Sequence, residues 1–404
     1  MTDPASTFLD YRKHAEKLHE EIVVFDSHVD ILPTFAADTA TFDTDGSTQF
    51  DLAKVRRGGI RGVVLTVATG AGRVSDSEQV RTRQIAENKF QLISDFLSRF
   101  SDRVELAPDP DRFLEITNAG KLAVVIGFQN AHPFAEDLTE LDKWEARGIR
   151  QFAFTFIGNN LWADSARPYP YIGQGIRSSG LSAIGRRAVR RLNELGVIID
   201  VSQVSAESLR DILEESNAPI IASHSAPRHL VDVDRNLTDN EISSIADKRG
   251  VVQVVAFGPY LKPLSSKMRA AVATLWKQYG LEEPRDLSRA LSINDEETRY
   301  WPSDKYEEFL HEFHVVLELE RPDASIRDLV DAIDHTVSVA GIDHVGISSD
   351  FNHSGGVLGW MNSGETPNVT AELLRRGYTK GQIEKLWGGN YMRAWREIRL
   401  ASRR

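Results

Sequence analysis

The 404-residue sequence contains no cysteine. Disulfides and thiolate metal sites are therefore excluded, and a metal would have to sit on His, Asp, Glu or Lys-derived ligands. It also lacks any run of about 18 consecutive apolar residues, so no segment reads as a membrane span. Residues Met1 to Glu21 are polar and charged and lack the apolar core of a secretory signal. A cytoplasmic location is the default expectation. Basic clusters are missing too. The formal net charge is −11, which speaks against nucleic acid as a partner and for solubility. Short-period repeats and low-complexity segments are absent.

What is present is an ordinary globular composition, 41% hydrophobic and 26% charged. Short β-branched runs recur along the chain. They are Ile22–Phe25, Gly62–Val67, Ala123–Ile126, Gln151–Phe156, Val197–Ile199, Ile220–Ala222, Val251–Val255 and His344–Ile347. Runs this short and apolar read as buried parallel strands. Amphipathic stretches fall between most of them: Glu87–Ser98, Thr139–Ala146, Ala183–Glu194, Ala206–Glu215, Asn240–Lys248 and Ile326–Ala340. Eightfold strand–helix alternation predicts one α/β domain over residues 1–404, a (β/α)₈ TIM barrel. An open doubly wound sheet fits less well, because no glycine-rich phosphate loop follows the first strand. Residues 260–325 interrupt the repeat as a helical insertion between strands 7 and 8, rich in aromatics: Trp276, Tyr279, Tyr300, Trp301, Tyr306, Phe309 and Phe313. It reads first as a packed satellite cluster or oligomer contact and second as a lid. Lys380–Ile398 reads as an amphipathic helix closing the barrel.

Reactive residues of such barrels sit at the C-terminal ends of the strands. The first run ends in Asp26-Ser27-His28-Val29-Asp30. The two-residue period of a strand puts His28 and Asp30 on one face, an imidazole and a carboxylate suited to a divalent metal such as zinc. The sixth run ends in His224 and the eighth leads to Asp350. A carboxylate there can hold a metal and accept a proton from water.

These residues carry a resemblance to the renal (membrane) dipeptidase family, over most of the chain. The matching stretches include Asp26–Asp30, Phe50-Asp51-Leu52, Asn160-Leu161-Trp162-Ala163-Asp164, Gly196–Asp200, Ser223-His224-Ser225-Ala226, Arg235-Asn236 and Gly346–Phe351. The resemblance implies a homodimeric barrel holding two zinc ions that hydrolyses dipeptides. It makes His28 and Asp30 ligands of the first metal, Asp350 a ligand and catalytic carboxylate, His224 a second-metal ligand with a part in catalysis, and Arg235 the grip on a substrate carboxylate. Three positions depart from the family pattern. Gln129 stands where the family has its bridging glutamate, Gln203 where it has the other second-metal histidine, and Phe156 where it has a substrate-contacting histidine. A neutral amide cannot offset the repulsion of two dications. The expectation is therefore one divalent ion per chain, zinc first among candidates, on His28, Asp30 and Asp350. Gln129, Gln203, Phe156 and Arg235 would line the substrate site.

The implied activity is hydrolysis of an amide bond in a small, carboxylate-bearing, dipeptide-like substrate, in a pocket more apolar than a dipeptidase's. The alternatives are a lyase, decarboxylase or other hydrolase reaction on the same scaffold, or an inactive binding homologue. His132 and Arg228 are placed near the barrel mouth. His353 is read as a solvated neighbour of the site ahead of a replacement ligand or base. His14, His19, His311, His314 and His335 are read as surface residues on helices.

Overall fold

In the computed structural model, the described residues are 4–31, 48–70, 75–167, 178–281, 324–353 and 355–403, with scattered positions in 301–316. The strands are β1 (Val24–Asp30), β2 (Ile60–Ala68), β3 (Val104–Leu106), β4 (Leu122–Gln129), β5 (Ile149–Ala153), β6 (Ile198–Asp200), β7 (Ile221–Ser225), β8 (Val251–Val255) and β9 (Val345–Ser348). They pair in the order β1-β2-β4-β5-β6-β7-β8-β9, and every ladder is parallel. Asp30 N–H donates to Phe351 O at 3.0 Å, a bridge that brings the last strand back to the first. The result is the nearly closed eight-strand barrel expected from the sequence, with helices outside it.

All eight expected strands occur, but β1 and β7 run further than their apolar cores suggested. β1 continues through Ser27, His28 and Asp30, and β7 through His224 and Ser225. These polar residues are fully enclosed by the barrel, so polarity marks the site and not the strand's end. β3 was not foreseen. It pairs with the first half of one edge of β4, and β5 with the second half.

The C-terminal segment does close the barrel, though as three pieces and not one helix. A π-helical turn, Lys385–Gly389, lies between helices Lys380–Glu384 and Asn390–Ala401. At Gly388 an added Cβ would lie 3.1 Å from Phe25 Cβ, so a larger residue would push the turn or Phe25 back by a few tenths of an ångström. Beyond it the Tyr391 ring lies tilted against Phe25 with centroids 4.4 Å apart, and its hydroxyl donates to Gln151 Oε1 at 2.7 Å, filling the barrel floor with Trp395 and Ile398. Within the insertion, Trp276, Tyr279, Trp301 and Phe309 pack ring against ring at 5.1–6.3 Å. Trp276 and Phe309 are part of the main hydrophobic core, with Tyr279 and Trp301 packed against it, so this cluster is continuous with the core and not a separate satellite. Residues 282–300, Tyr306 and Phe313 lie outside the described residues, as do His311 and His314.

His14 is exposed, but His19 is not a surface residue: it is 3% exposed. Trp387 Nε1–H donates to Thr370 Oγ1 at 2.8 Å, which leaves the Thr370 hydroxyl to donate to His19 Nε2 at 2.7 Å. His19 Nδ1–H in turn donates to Gly58 O at 2.8 Å. The ring is thus held neutral between the end of helix Leu52–Gly58 and the middle of helix Thr366–Arg375. Burial lowers its pKa from 6.5 to about 4. The unfolded chain takes up this proton first, so the contribution is complete above pH 6.5 and falls away towards pH 4. The loss amounts to about 3 kcal/mol at 1.36 kcal/mol per unit. In urea unfolding at pH 7 and pH 4, the stability gap between wild type and His19→Gln should shrink by about that much. Parallel pH curves for the two proteins would contradict this assignment.

Candidate active site

The strand ends converge on one buried polar cluster. β1 supplies His28 and Asp30, the end of β4 Gln129, the end of β6 Asp200, β7 His224, and the segment after β9 Asp350. All are at most 5% exposed. Two site residues leave ordinary backbone space. Asp350 has φ +56° and Gln203 φ +74°, the left-handed region that side chains other than glycine seldom adopt. The turn at Asp350 is closed by Gly355 N–H donating to Asp350 O at 3.0 Å. Both turns send their side chains back over the barrel instead of outward.

His28 lies with Nδ1 3.3 Å from Thr66 Oγ1 and Nε2 3.8 Å from Asp350 Oδ1. Burial lowers its pKa to about 4, so it is neutral. Burial also pushes the Asp350 carboxyl up to about 7. For Asp30 burial alone would raise the pKa, but Lys89 and His353 outweigh it and hold the carboxylate ionised. Asp30 Oδ2 pairs with His353 Nδ1 at 2.6 Å. Its Oδ1 is buried with no hydrogen-bond partner.

The second half of the site is a chain of hydrogen bonds. Asp200 accepts from Ser202 N–H and Ser223 N–H, both at 3.0 Å, from Gln151 Nε2 at 3.3 Å, and from the Ser223 hydroxyl. The Ser223 hydrogen is committed to Asp200, so His224 Nδ1–H must donate to Ser223 Oγ, 2.7 Å away. That fixes the His224 tautomer with its lone pair on Nε2. Gln203 Nε2–H donates into this lone pair at 3.1 Å. Gln203 Oε1 accepts from Arg167 Nη2 at 2.7 Å, which sets the orientation of the amide. The nitrogen that the family resemblance makes a metal ligand is thus already satisfied.

His28, Asp200 and His224 do bring three ligand atoms within 4.8 Å of one another. The two imidazoles are stacked, however, with centroids 3.9 Å apart and planes at 25°. Asp200 is also filled by its four donors. Beside this cluster, Asp30 Oδ1 is buried without a hydrogen-bond partner and His28 Nε2 lies 3.8 Å from Asp350 Oδ1.

Arg235 is buried beneath His224. Its Nη2 donates to His224 O at 2.6 Å, its Nη1 to Ser225 Oγ at 3.2 Å, and it lies 5.2 Å over the Tyr260 ring. Phe156 sets its ring edge-on to His353 at 5.1 Å. Gln129 Nε2 is buried and unpartnered. His132 is 3% exposed behind Gln129. Arg228 pairs with Asp234 at the rim. All eight residues chosen from sequence therefore lie at the same barrel end. Reasoning from sequence missed Arg167, while His353, read as a solvated neighbour of the site, is 44% exposed and pairs with Asp30. Arg167 follows the Asn160–Asp164 stretch without any spacing signal. His353 had one, three residues beyond Asp350 on a turn that must fold back.

A parallel barrel with His and Asp side chains on its C-terminal strand ends belongs to the metal-dependent hydrolase class. Residues 12–404 match the membrane dipeptidase family, peptidase family M19, and the chain belongs to that family. A dipeptidase of Claviceps purpurea, tcpJ, is 27% identical over 330 residues, covering 81% of this chain and 63% of its own length. An uncharacterized dipeptidase of Schizosaccharomyces pombe is 26% identical over 295 residues, 72% of this chain and 57% of its own. The chain thus spans about three fifths of these curated relatives. The crystal structure of the probable dipeptidase PvdM from Pseudomonas aeruginosa superposes with a TM-score of 0.93 at 42% identity, covering 99% of this chain and 100% of that one. A metallopeptidase of Rhodobacter sphaeroides, solved with a phosphinate mimic of L-Ala-D-Ala, shares the fold at TM-score 0.73 and 18% identity, over 93% and 99% of the two chains.

The hydrogen-bond chain predicts a stability effect. Ser223→Ala leaves Asp200 and His224 Nδ1 facing each other without their bridge, at a cost of about 1–3 kcal/mol. The urea midpoint should fall with an unchanged m-value. A midpoint equal to wild type would show that Ser223 does not carry the connection.

Proposed function

We propose that this chain is a hydrolase of an amide bond in small, carboxylate-bearing, dipeptide-like substrates, and that it works with one divalent ion, zinc first among candidates. One observation carries the reading: Asp30 Oδ1 is left unpartnered near His28 and Asp350, while His224 Nε2 already accepts from Gln203. Asp30, His28 and Asp350 would hold the ion. When bound, it supplies Lewis acidity and eases deprotonation of water. Three protein ligands and an open position suffice for such a site.

The protein's own groups account for the rest. Asp350 is the carboxylate placed to take the proton of the attacking water and return it to the leaving amine. Arg235, fixed by His224 O and Ser225, presents a rigid guanidinium to the substrate carboxylate. Phe156 gives the pocket an apolar wall and keeps water from that side. His353 neutralises Asp30 from the rim.

Elemental analysis after purification with excess zinc should find at most one equivalent per chain, and two at full occupancy would refute the single-ion site. The zinc-loaded protein should cleave common dipeptides well below the ~10 per second of a typical enzyme. Asp350→Asn should lower that rate by about 10²–10⁴. A variant as active as wild type would remove Asp350 from the reaction. Zinc uptake without cleavage of any dipeptide in an L,L and L,D panel would favour a different reaction on the same scaffold.

A further inference from the structure

Two guanidinium groups share the barrel mouth. Arg235 keeps a buried Nε–H without a hydrogen-bond partner, and so does Arg167. The two lie close enough that Arg167, after burial and Tyr260, is among the groups that disturb the protonation of Arg235. Among the described residues, the Arg167 side chain donates to Gln203 Oε1 from Nη2 at 2.7 Å. Its central carbon lies 5.9 Å above the Phe156 ring. It therefore spans the two positions, 156 and 203, where histidines are missing relative to the family pattern. Lys89 and His353 add positive charge, Asp30 is paired with His353, and Asp350, which faces both arginines, offsets only part of the sum. Like charges and unmet N–H donors in a poorly solvated pocket call for an anion between them.

We propose that Arg167 is a ligand-contacting residue: its guanidinium, hinged on Gln203, binds an anionic oxygen of the substrate opposite Arg235. The oxygen belongs either to the substrate carboxylate or to the cleaved carbonyl as it gains negative charge. This inference rests on the dipeptide-like reading above. In a purely structural role Arg167 would only orient Gln203, and its loss would leave ligand affinity unchanged.

Isothermal titration of wild type, Arg167→Met and Arg167→Lys with the phosphinate mimic of L-Ala-D-Ala separates these roles. Loss of a charge-assisted contact should weaken phosphinate binding roughly 10- to 100-fold in Arg167→Met. Arg167→Lys should recover part of that, since it keeps the charge and loses the fork. N-acetyl-D-alanine has the carboxylate without the tetrahedral anion. If it weakens in parallel, Arg167 meets the carboxylate; if it is unaffected, Arg167 meets the developing oxyanion. Phosphinate affinity in Arg167→Met equal to wild type, while Arg235→Met loses it, overturns the proposal. Should the wild type bind no phosphinate at all, the dipeptide-like reading falls by itself. Iodide-soaked crystals then still decide the anion site. An anomalous peak against Arg167 that disappears in Arg167→Met supports it, and no such peak in wild type overturns it.

Discussion

The hydrogen bond from Gln203 to His224 Nε2 constrains everything around it. An imidazole nitrogen has one lone pair in the ring plane, and it can serve a metal or accept a hydrogen bond, not both. The assignment does not depend on an arbitrary choice of tautomer. Asp200, fed by two backbone N–H groups, needs the Ser223 hydrogen, which forces His224 to protonate at Nδ1. Arg167 can only donate, which forces the Gln203 carbonyl towards it and the amide N–H₂ towards His224. Both ends of the chain are fixed by charged groups, so its direction is fixed throughout.

The electrostatics follow from the same chain. A barrel mouth with two dications needs anionic ligands to hold them apart. Here Gln129 and Gln203 are neutral, and Arg167 brings a guanidinium to within 2.7 Å of Gln203 Oε1. Asp30, His28 and Asp350 remain as a compact set on the side where β1 meets the segment after β9. The site is split into a half with open carboxylate and imidazole atoms and a half closed by internal hydrogen bonds. The left-handed conformations of Gln203 and Asp350 belong to this division, since each turns one of the two halves inward.

The barrel was readable from sequence because buried parallel strands announce themselves as short apolar runs, and all eight did. The misplaced ends have one cause. His28, Asp30, His224 and Ser225 are polar residues inside strands, and a reading by hydrophobicity stops where chemistry begins. Gln129, Gln203 and Phe156 stood out only as departures from a family pattern. The sequence showed that something was lost at those positions, but not that Arg167 had filled the space. Arg167 reaches Gln203 from 36 positions away in the chain, and no local pattern encodes such a contact. His19 failed for a related reason. Its helical context looks exposed until the helix end, Thr370 and Trp387 close over it.

The proposed single-ion site turns on His224, whose Nε2 accepts from Gln203 at 3.1 Å. Nitrogen-15 NMR of histidine-labelled protein, recorded with and without zinc, addresses it directly. With His224 protonated at Nδ1, its Nε2 resonance should be that of a hydrogen-bond acceptor and stay in place when zinc is added. His28 Nε2 should shift instead. A zinc-induced shift of His224 Nε2 to the range of a metal-bound nitrogen would place the ion on His224 and refute the single-ion site.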